Sequence, residues 1–464
     1  MNQATTTTAL IVISLAALVG RVMATEYDAT SAQPRIVNGK TSSAYPSTGA
    51  LLIFEYDDLA TLYGLCSGTL IGCRTFLTAA HCVCPDDAMD AASCLQAGTT
   101  AASTMRVFFQ HAGYFPVAQV EIHPQYSFAE RGDLAVLTLG EDVRGVAPTD
   151  INRVARPAAG SEGAIVGFGT TGDSFMSAND AGVKREGSVT TAACGEDIDD
   201  DVHLCWDFTG AQSNVCSGDS GGPLFVDLGS GPTVAAVTSG SFSYSCDPPD
   251  MSFDTDVHVF QSWIDAVAGE PLGGESCDLP AVGSQATNAF ATTGKLSNGT
   301  RQARAQFDVP AGTRLLRVAL NGQLGSASGF FGASNDFDLY IGAGDAPTTA
   351  AYDCADTNLT TFGFCEIDEP APGTWHALVE LADGAGTYQL TATTFAEAAS
   401  QPCACDCNGD VAVTPSEVVA AVEIALTGAN ASTCVQADGN DDDTVDVDEL
   451  VRGVRSQLGT CNIR

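Results

Sequence analysis

The chain has 464 residues, room for two to four domains rather than a single core. Its 57 acidic residues against 19 basic ones give a formal net charge of -38, which repels nucleic acid and anionic membrane surfaces and favours solubility and divalent cations. Its 17 cysteines point to an oxidising compartment and several disulfides, because zinc sites would need compact ligand quartets, and the odd number leaves at least one cysteine outside any pair within the chain.

Residues 1–24 read as a secretory signal: the apolar run ALIVISLAALVG is short for a bilayer crossing, and Val22 and Ala24 are the small residues of a cleavage site. An uncleaved anchor is the alternative, since only the amino terminus supplies the charged start. No other apolar run approaches membrane length, so no membrane contact is expected of the mature form. From residue 36 to about 268, GALLIF, RVFFQ, DLAVLTL, GAIVGFG and TVAAVTSG are divided by Gly, Pro and Asp turns, an all-β pattern. CSGTLIGCRTFLTAAHC puts His81 directly after a strand, and RGDLAVLTL puts Asp133 at the head of one. NVCSGDSGGPLF sets Ser220 among glycines, whose freedom lets successive N–H groups converge on one point. Such a loop suits a nucleophile: the Ser220 hydroxyl would attack while the amides of Gly218 and Ser220 hold the resulting oxyanion. Taken alone, the run reads equally as a surface turn, because a serine hydroxyl is a weak nucleophile until a histidine and a carboxylate orient it.

RIVNG at 35–39, TAAHC around His81, DLAVLTL from Asp133 and GDSGGP around Ser220 occur in the order that makes residues 36–270 resemble the trypsin and chymotrypsin family of serine proteases. The resemblance implies two six-stranded β-barrels with the site in the cleft between them. It makes His81 the general base, Asp133 its buried orienter and Ser220 the nucleophile of an acyl-enzyme mechanism on a protein or peptide substrate. It also implies a zymogen. Cleavage after Arg35 by an activating protease would remove residues 25–35 as a propeptide and free the Ile36 α-amine to pair with Asp219; an ordinary strand start is the other reading of RIVNG. Asn214, six residues before the nucleophile, falls at the base of the primary pocket, with Ser239, Gly240, Ser241 and Ser252 along its walls; a purely structural Asn214 is the alternative. With no carboxylate expected at that base, a buried substrate cation would lack an opposite charge, so uncharged residues are expected before the scissile bond and self-activation at Arg35 should be poor. The family's bridges fall on Cys66–Cys82, Cys194–Cys205 and Cys216–Cys246. Of the additional cysteines, Cys84 is expected to pair with Cys94, and Cys73 is unassigned.

Beyond a Gly- and Pro-rich linker at 271–289, ARAQFDVPAGTRLLRVALNG, NDFDLYIG, PGTWHALVELADG and GTYQLTATTF alternate polar and apolar residues, which predicts a β-sandwich over residues 290–396. FDVPAGTRLLRVAL, DFDLYIG, APTTAAYDC and PGTWHALVE resemble the bacterial pre-peptidase C-terminal domain, which implies an exported bacterial protease and a Cys354–Cys365 staple. Asp336 and Asp338 read as solvated turn acids in preference to calcium ligands.

Residues 397–464 contain DCNGDVAVTPSE and DGNDDDTVDVDE, with oxygen-bearing side chains at positions 1, 3, 5, 9 and 12 of a calcium loop: Asp406, Asn408, Asp410, Thr414 and Glu417, then Asp438, Asn440, Asp442, Asp446 and Glu449. Each loop carries valine at position 8, Val413 or Val445, and runs into an amphipathic helix. A loop followed by a helix, used twice, resembles a dockerin module, which implies a calcium-dependent helical tail and a cohesin-like docking partner. The expected architecture is therefore mainly β: a double-barrel protease, a sandwich and a small helical calcium module. The rivals are a catalytically silent homologue, which a fluorophosphonate probe would leave unlabelled, and an assembly protein whose tail is its main function.

The two loops should differ in affinity. Position 6 favours a left-handed backbone, which Asp443 tolerates and the β-branched Val411 resists at a strain of about 1 to 3 kcal/mol, roughly a tenfold to hundredfold loss in affinity. Calcium titration of the chain should show a tighter site that Asp438→Ala removes and a weaker one that Val411→Gly strengthens. No uptake at millimolar calcium, or a tighter first loop, would contradict this.

Overall fold

Apolar runs of four to ten residues between Gly, Pro and Asp turns are too short for stable helices and bury one or both faces as strands. In the computed structural model the described residues are 36–396, except 57–60, 86, 173–179, 244, 275–276, 326–334 and 359, and in the tail 405–407, 413–427, 434–437, 444–445, 447, 450 and 453–454. The signal, the propeptide with Arg35, and Asn408, Asp410, Asp438, Asn440, Asp442, Asp446 and Glu449 lie outside the described residues.

A short strand β1 (Lys40–Thr41) precedes β2 (Thr48–Phe54), β3 (Leu62–Leu70), β4 (Thr75–Thr78), β5 (Met105–Phe109), β6 (Gly113–Ile122) and β7 (Ala135–Leu139), and the last six close into a barrel in the order β2-β3-β4-β7-β6-β5. Leu51, Phe76, Leu77, Val107, Phe109 and Leu137 fill it. Closure presses strands together at Gly68, where a Cβ would sit 2.4 Å from the Phe76 ring.

The second half contains β8 (Glu162–Gly167), β9 (Arg185–Thr190), β10 (His203–Phe208), β11 (Pro223–Asp227), β12 (Pro232–Ser241) and β13 (Asp250–Asp256). With β1 these form a seven-stranded sheet, β1-β9-β8-β11-β12-β13-β10, the half-barrel that completes the double-barrel architecture the sequence implied. The extra member is β1, whose Lys40 pairs with Glu186 in register and by a 2.8 Å ion pair. A helix, Val257–Ala268, follows, capped by the Asp256 carboxylate accepting from the His258 N–H and ended by left-handed Gly269.

Cys66–Cys82, Cys84–Cys94, Cys194–Cys205, Cys216–Cys246 and Cys354–Cys365 are bonded. Cys73 is bonded to Cys277, inside the segment read as a linker. That segment lies along the first barrel, where the Gly273 N–H donates to the Ile71 carbonyl and the Val282 N–H to the Gly145 carbonyl.

The sandwich begins at residue 287. Strands β14 (Thr287–Leu296), β15 (Gln302–Val309), β16 (Thr313–Gly322), β17 (Asp336–Ala343), β18 (Cys354–Asp356), β19 (Gly363–Asp368), β20 (Gly373–Asp383) and β21 (Gly386–Ala396) form two four-stranded sheets, β14-β21-β16-β19 and β15-β20-β17-β18. Tyr388, Leu390 and Ala392 of β21 face the inter-sheet core, and the alternation makes the intervening Gln389, Thr391 and Thr393 read as solvent-facing. The structure buries these three too, at 4, 2 and 1% exposure, because that face packs on the residues of the preceding barrels. Leu52, Phe54, Leu65 and Phe108 of the barrel share one apolar cluster with Ala319, Leu324 and Phe362 of the sandwich, and the Phe108 and Phe362 rings meet edge to face at 5.0 Å. Among the described residues no helix is long and apolar enough to cross a membrane.

Candidate active site

Strand β4 ends at Thr78, opposite Ala135 of β7, so the turn after one strand and the two residues before the other come together at one rim of the barrel. That places His81, in the turn Ala80–Cys82, against Asp133. The His81 Nδ1 lies 2.7 Å from Asp133 Oδ2, and the His81 backbone N–H donates to Asp133 Oδ1 at 2.9 Å. Asp133 is 1% exposed, while the His81 side chain keeps 23% of its surface open. Burial alone would push the His81 pKa down, but the Asp133 charge and hydrogen bond outweigh it and hold the imidazole above its ordinary 6.5. Burial would likewise raise Asp133, yet the His81 charge, its hydrogen bonds and that of Ser239 hold the carboxyl below the usual range. Cys66 and Cys82 lie beside the imidazole but are bonded to each other, so they offer no thiolate to a metal.

Ser239, read from sequence as a pocket wall, instead donates its hydroxyl to Asp133 Oδ2 at 2.6 Å. The register of β12 against β13 slips between Thr238 and Gly240, and such a bulge re-aims the residue within it.

Ser220 and Gly218 line the same cleft as His81, a cavity of about 540 Å³ that also includes Tyr63 and Leu65. The Ser67 N–H donates to the Ser220 carbonyl at 2.8 Å, and the Ser67 hydroxyl to the Gly218 carbonyl at 2.9 Å. Gly221 has φ +79°, and a Cβ there would meet Thr78 Oγ1 at 2.1 Å, so only glycine fits. The N–H groups of Asp219, Gly221 and Gly222 are all donated within the protein, to Cys216, Thr238 and Asp219 carbonyls. Among the described residues those of Gly218 and Ser220 carry no hydrogen bond, which leaves them open for an oxyanion.

Asp219 is 1% exposed and points away from the cleft. It accepts N–H groups from Gly169 at 2.8 Å and Cys216 at 3.0 Å, yet burial pushes its pKa up to about 7. Ile36 is 1% exposed, in one apolar cluster with Trp206 and Val215, and Val37 bridges Asn214.

Asn214, expected at the base of the primary pocket, is bonded to a carboxylate. Asn214 accepts from Ser252 Oγ at 2.7 Å through Oδ1 and donates from Nδ2 to Asp250 Oδ2 at 2.8 Å. Asp254, two residues beyond Ser252 on the same face of β13, is fully buried with Oδ2 on the Thr238 hydroxyl, and burial raises its pKa well above the usual value. Neither acid was among the sequence candidates. Their alternation with Ser252 was the available signal. Gly240 takes the Phe253 ring against it, 2.9 Å from where a Cβ would be, and Ser241 donates to the Ser243 carbonyl.

In the tail, the helix Pro415–Thr427 starts beside Glu417, whose Oε2 accepts the Thr414 N–H and hydroxyl, both at 2.8 Å. Buried Asp406 and Glu417 are hard oxygen donors of the kind that suits calcium, and Val413 and Val445 share one small core.

The Trypsin family matches residues 36–264, and the Bacterial pre-peptidase C-terminal domain matches residues 303–381. Tonin of Rattus norvegicus is 28% identical over 56% of this chain and 98% of its own length. Trypsin of Phaedon cochleariae is 29% identical over 44% of the chain and 78% of its own length. Submandibular glandular kallikrein-9 of Rattus norvegicus is 29% identical over 35% and 63%.

The His81–Asp133 pair predicts a titration. A raised histidine pKa stabilises the fold below 6.5 and loses that contribution as pH rises through the folded value; a depressed aspartate pKa stabilises above 3.8 and loses it as pH falls. The pair's contribution therefore peaks between those two values. NMR of the His81 ring should give a midpoint above 6.5, and Asp133→Asn should drop it below 6.5, since only burial remains. An unchanged midpoint would refute the assignment.

Proposed function

We propose that the chain, whose residues 36–264 form a trypsin-like serine protease domain followed by a bacterial pre-peptidase C-terminal domain, is an exported endopeptidase made as a zymogen. The observation that carries this reading is the buried Asp133 oriented 2.7 Å from His81, at the wall of the cleft that also holds Ser220 and two open amides.

In the proposed cycle His81 Nε2 takes the Ser220 proton as Oγ attacks the substrate carbonyl, and the Gly218 and Ser220 amides hold the oxyanion. Collapse transfers the proton from His81 to the leaving amine and leaves an acyl-enzyme. Water, deprotonated by His81, then releases the acid and restores Ser220. Asp133, fixed by Ser239 and the His81 N–H, keeps the imidazole in the required tautomer and stabilises its cationic form. Cleavage after Arg35 would release an α-amine at Ile36 to neutralise Asp219, since a buried unpaired carboxylate is costly. In the tail, Asp406, Thr414 and Glu417 would contribute to a calcium site, which would order the loops for a cohesin-like partner.

Asp250 changes the expected preference. Its charge at the Asn214 position favours a substrate cation, so Arg or Lys is proposed before the scissile bond, with self-activation at Arg35 as a consequence.

Ser220→Ala should lower activity by several orders of magnitude while leaving the fold intact, because it removes one hydroxyl from a loop shaped by its glycines. Activity within tenfold of the parent would sink the triad.

Cleavage profiling of the chain freed of residues 1–35 should be dominated by Arg and Lys, and Asp250→Asn should lower that preference over uncharged residues by about tenfold or more. A parent that prefers uncharged residues would refute the role given to Asp250.

A further inference from the structure

The sandwich does more than cover an apolar face of the barrel. Gln389 of β21 accepts the Lys184 N–H through Oε1 at 2.7 Å and donates from Nε2 to the Lys184 carbonyl at 3.1 Å and the Ser42 carbonyl at 3.2 Å. Asn321 of β16 donates to the Gly182 carbonyl and to Gln389 Oε1, both at 2.8 Å, and the Leu324 N–H donates to the Ala181 carbonyl at 2.9 Å. Backbone meets backbone so closely that a Cβ at Gly182 would stand 2.2 Å from the Gly322 carbonyl oxygen. Residues 181–184 are therefore gripped by the sandwich on successive peptide groups.

The next residue, Arg185, is 1% exposed, and from that strand it donates to the Gly169 carbonyl at 2.7 Å and to the Asp180 carbonyl at 2.9 Å. Asp180 in turn accepts the Thr171 N–H at 3.0 Å. Arg185 and Asp180 so fix residues 169–171, which face the nucleophile loop: Gly169 donates its N–H to Asp219, and Thr170 donates its N–H to the Ser217 carbonyl at 2.8 Å. A contiguous set of hydrogen bonds runs from the sandwich to the loop that carries Ser220.

We propose that Gln389 and Asn321 are positioning residues for catalysis: through 181–184 and Arg185 they hold the wall against which Asp219 sets the 216–221 loop. The inference rests on the protease reading for its activity arm only. A mere spatial chain would not establish coupling, so the test must separate coupling from loss of stability.

His111 supplies the control. Its Nδ1 bonds Thr393 Oγ1 at 2.8 Å in the same interface and its Nε2 bonds the Ser43 carbonyl, so its hydrogen bonds go elsewhere than 181–184. In the full chain, Gln389→Ala and Asn321→Ala should each lower kcat on a small peptide ester by about tenfold with KM within about twofold, and should speed amide hydrogen exchange at 216–221. Thr393→Val should lower Tm but leave kcat and that exchange at parent values. If Gln389→Ala does not fold, Gln389→Met, which keeps the volume, takes its place in both measurements. A lower Tm with unchanged kcat and exchange for the Gln389 and Asn321 variants would overturn the proposal, as would an equal kcat loss from Thr393→Val. Exchange needs no turnover, so a parent that cleaved nothing would defeat the protease reading while exchange at 216–221 still decided this one.

Discussion

The buried Asp219 carboxyl is the constraint on which the rest of the trypsin-like half depends. Its walls are glycines for a reason of space: a Cβ at Gly167 would lie 2.2 Å from Oδ1, and one at Gly169 would lie 2.6 Å from the carboxyl carbon. Two N–H donors and the nearby Arg185 favour the anion, Asp180 opposes it, and desolvation still wins, leaving a pKa of about 7. Because the folded value is raised, the protonated group's contribution to stability is complete below 3.8 and is lost as pH rises through about 7. Near neutrality, then, the loop that presents Ser220 rests on a group poised between charge states, and any cation brought beside it biases the loop towards order. A freed Ile36 amine would be one such cation; Arg185 is another, already in place.

The contact between protease and sandwich has the chemistry of a specific joint as well as an adhesive one. Phe108 on Phe362 and the neighbouring aliphatics provide the non-directional part. Gln110, Asn321, Gln389, Thr391 and Thr393 provide the directional part, since amides and hydroxyls left without partners in a buried face would each be costly. Gln110 donates to both the Asn321 and the Gln389 side-chain oxygens, which locks one register between the two domains. Burial in this joint also keeps His111 neutral, with a pKa pushed down to about 4. Lys184 is desolvated to about 7 beside the Tyr45 carbonyl.

The candidate site was legible because its residues sit in short strings: a histidine after a strand, an aspartate before one, and a serine among glycines, of which Gly221 admits no other residue. The strands were legible from alternation. What escaped were contacts joining distant residues, and polar residues whose exposure alternation cannot decide. Cys277 is 204 residues from Cys73, and nothing local to either names the other. Gln389 and Thr393 look like the wet side of a strand, because a face that docks on another domain through amides has the same composition as one that meets water. Ser239 was placed near the site but given the wrong neighbour, because one bulge in β12 turns its hydroxyl onto Asp133. Asp250 was overlooked because the resemblance directs attention to Asn214, while the carboxylate comes from β13, 36 residues further along the chain.

The tail obeys the opposite economy to the protease. Its described core is a handful of small and branched residues, Val413, Ala421, Ile424, Ala437 and Val445 among them, tied by Cys407–Cys434. A core of that size supplies little hydrophobic free energy, so such a module relies on staples. The disulfide is one. The acidic composition opposes it, since Asp406 and Glu417 are both buried and desolvation makes their charged forms costly. A divalent cation would reverse that sign, turning the carboxylates from a desolvation cost into the second staple and making the fold of the tail depend on metal concentration. The barrels hold Asp133 and Asp219 with N–H groups, a hydroxyl and neighbouring cationic side chains; a bound cation would do the same for the carboxylates of the tail.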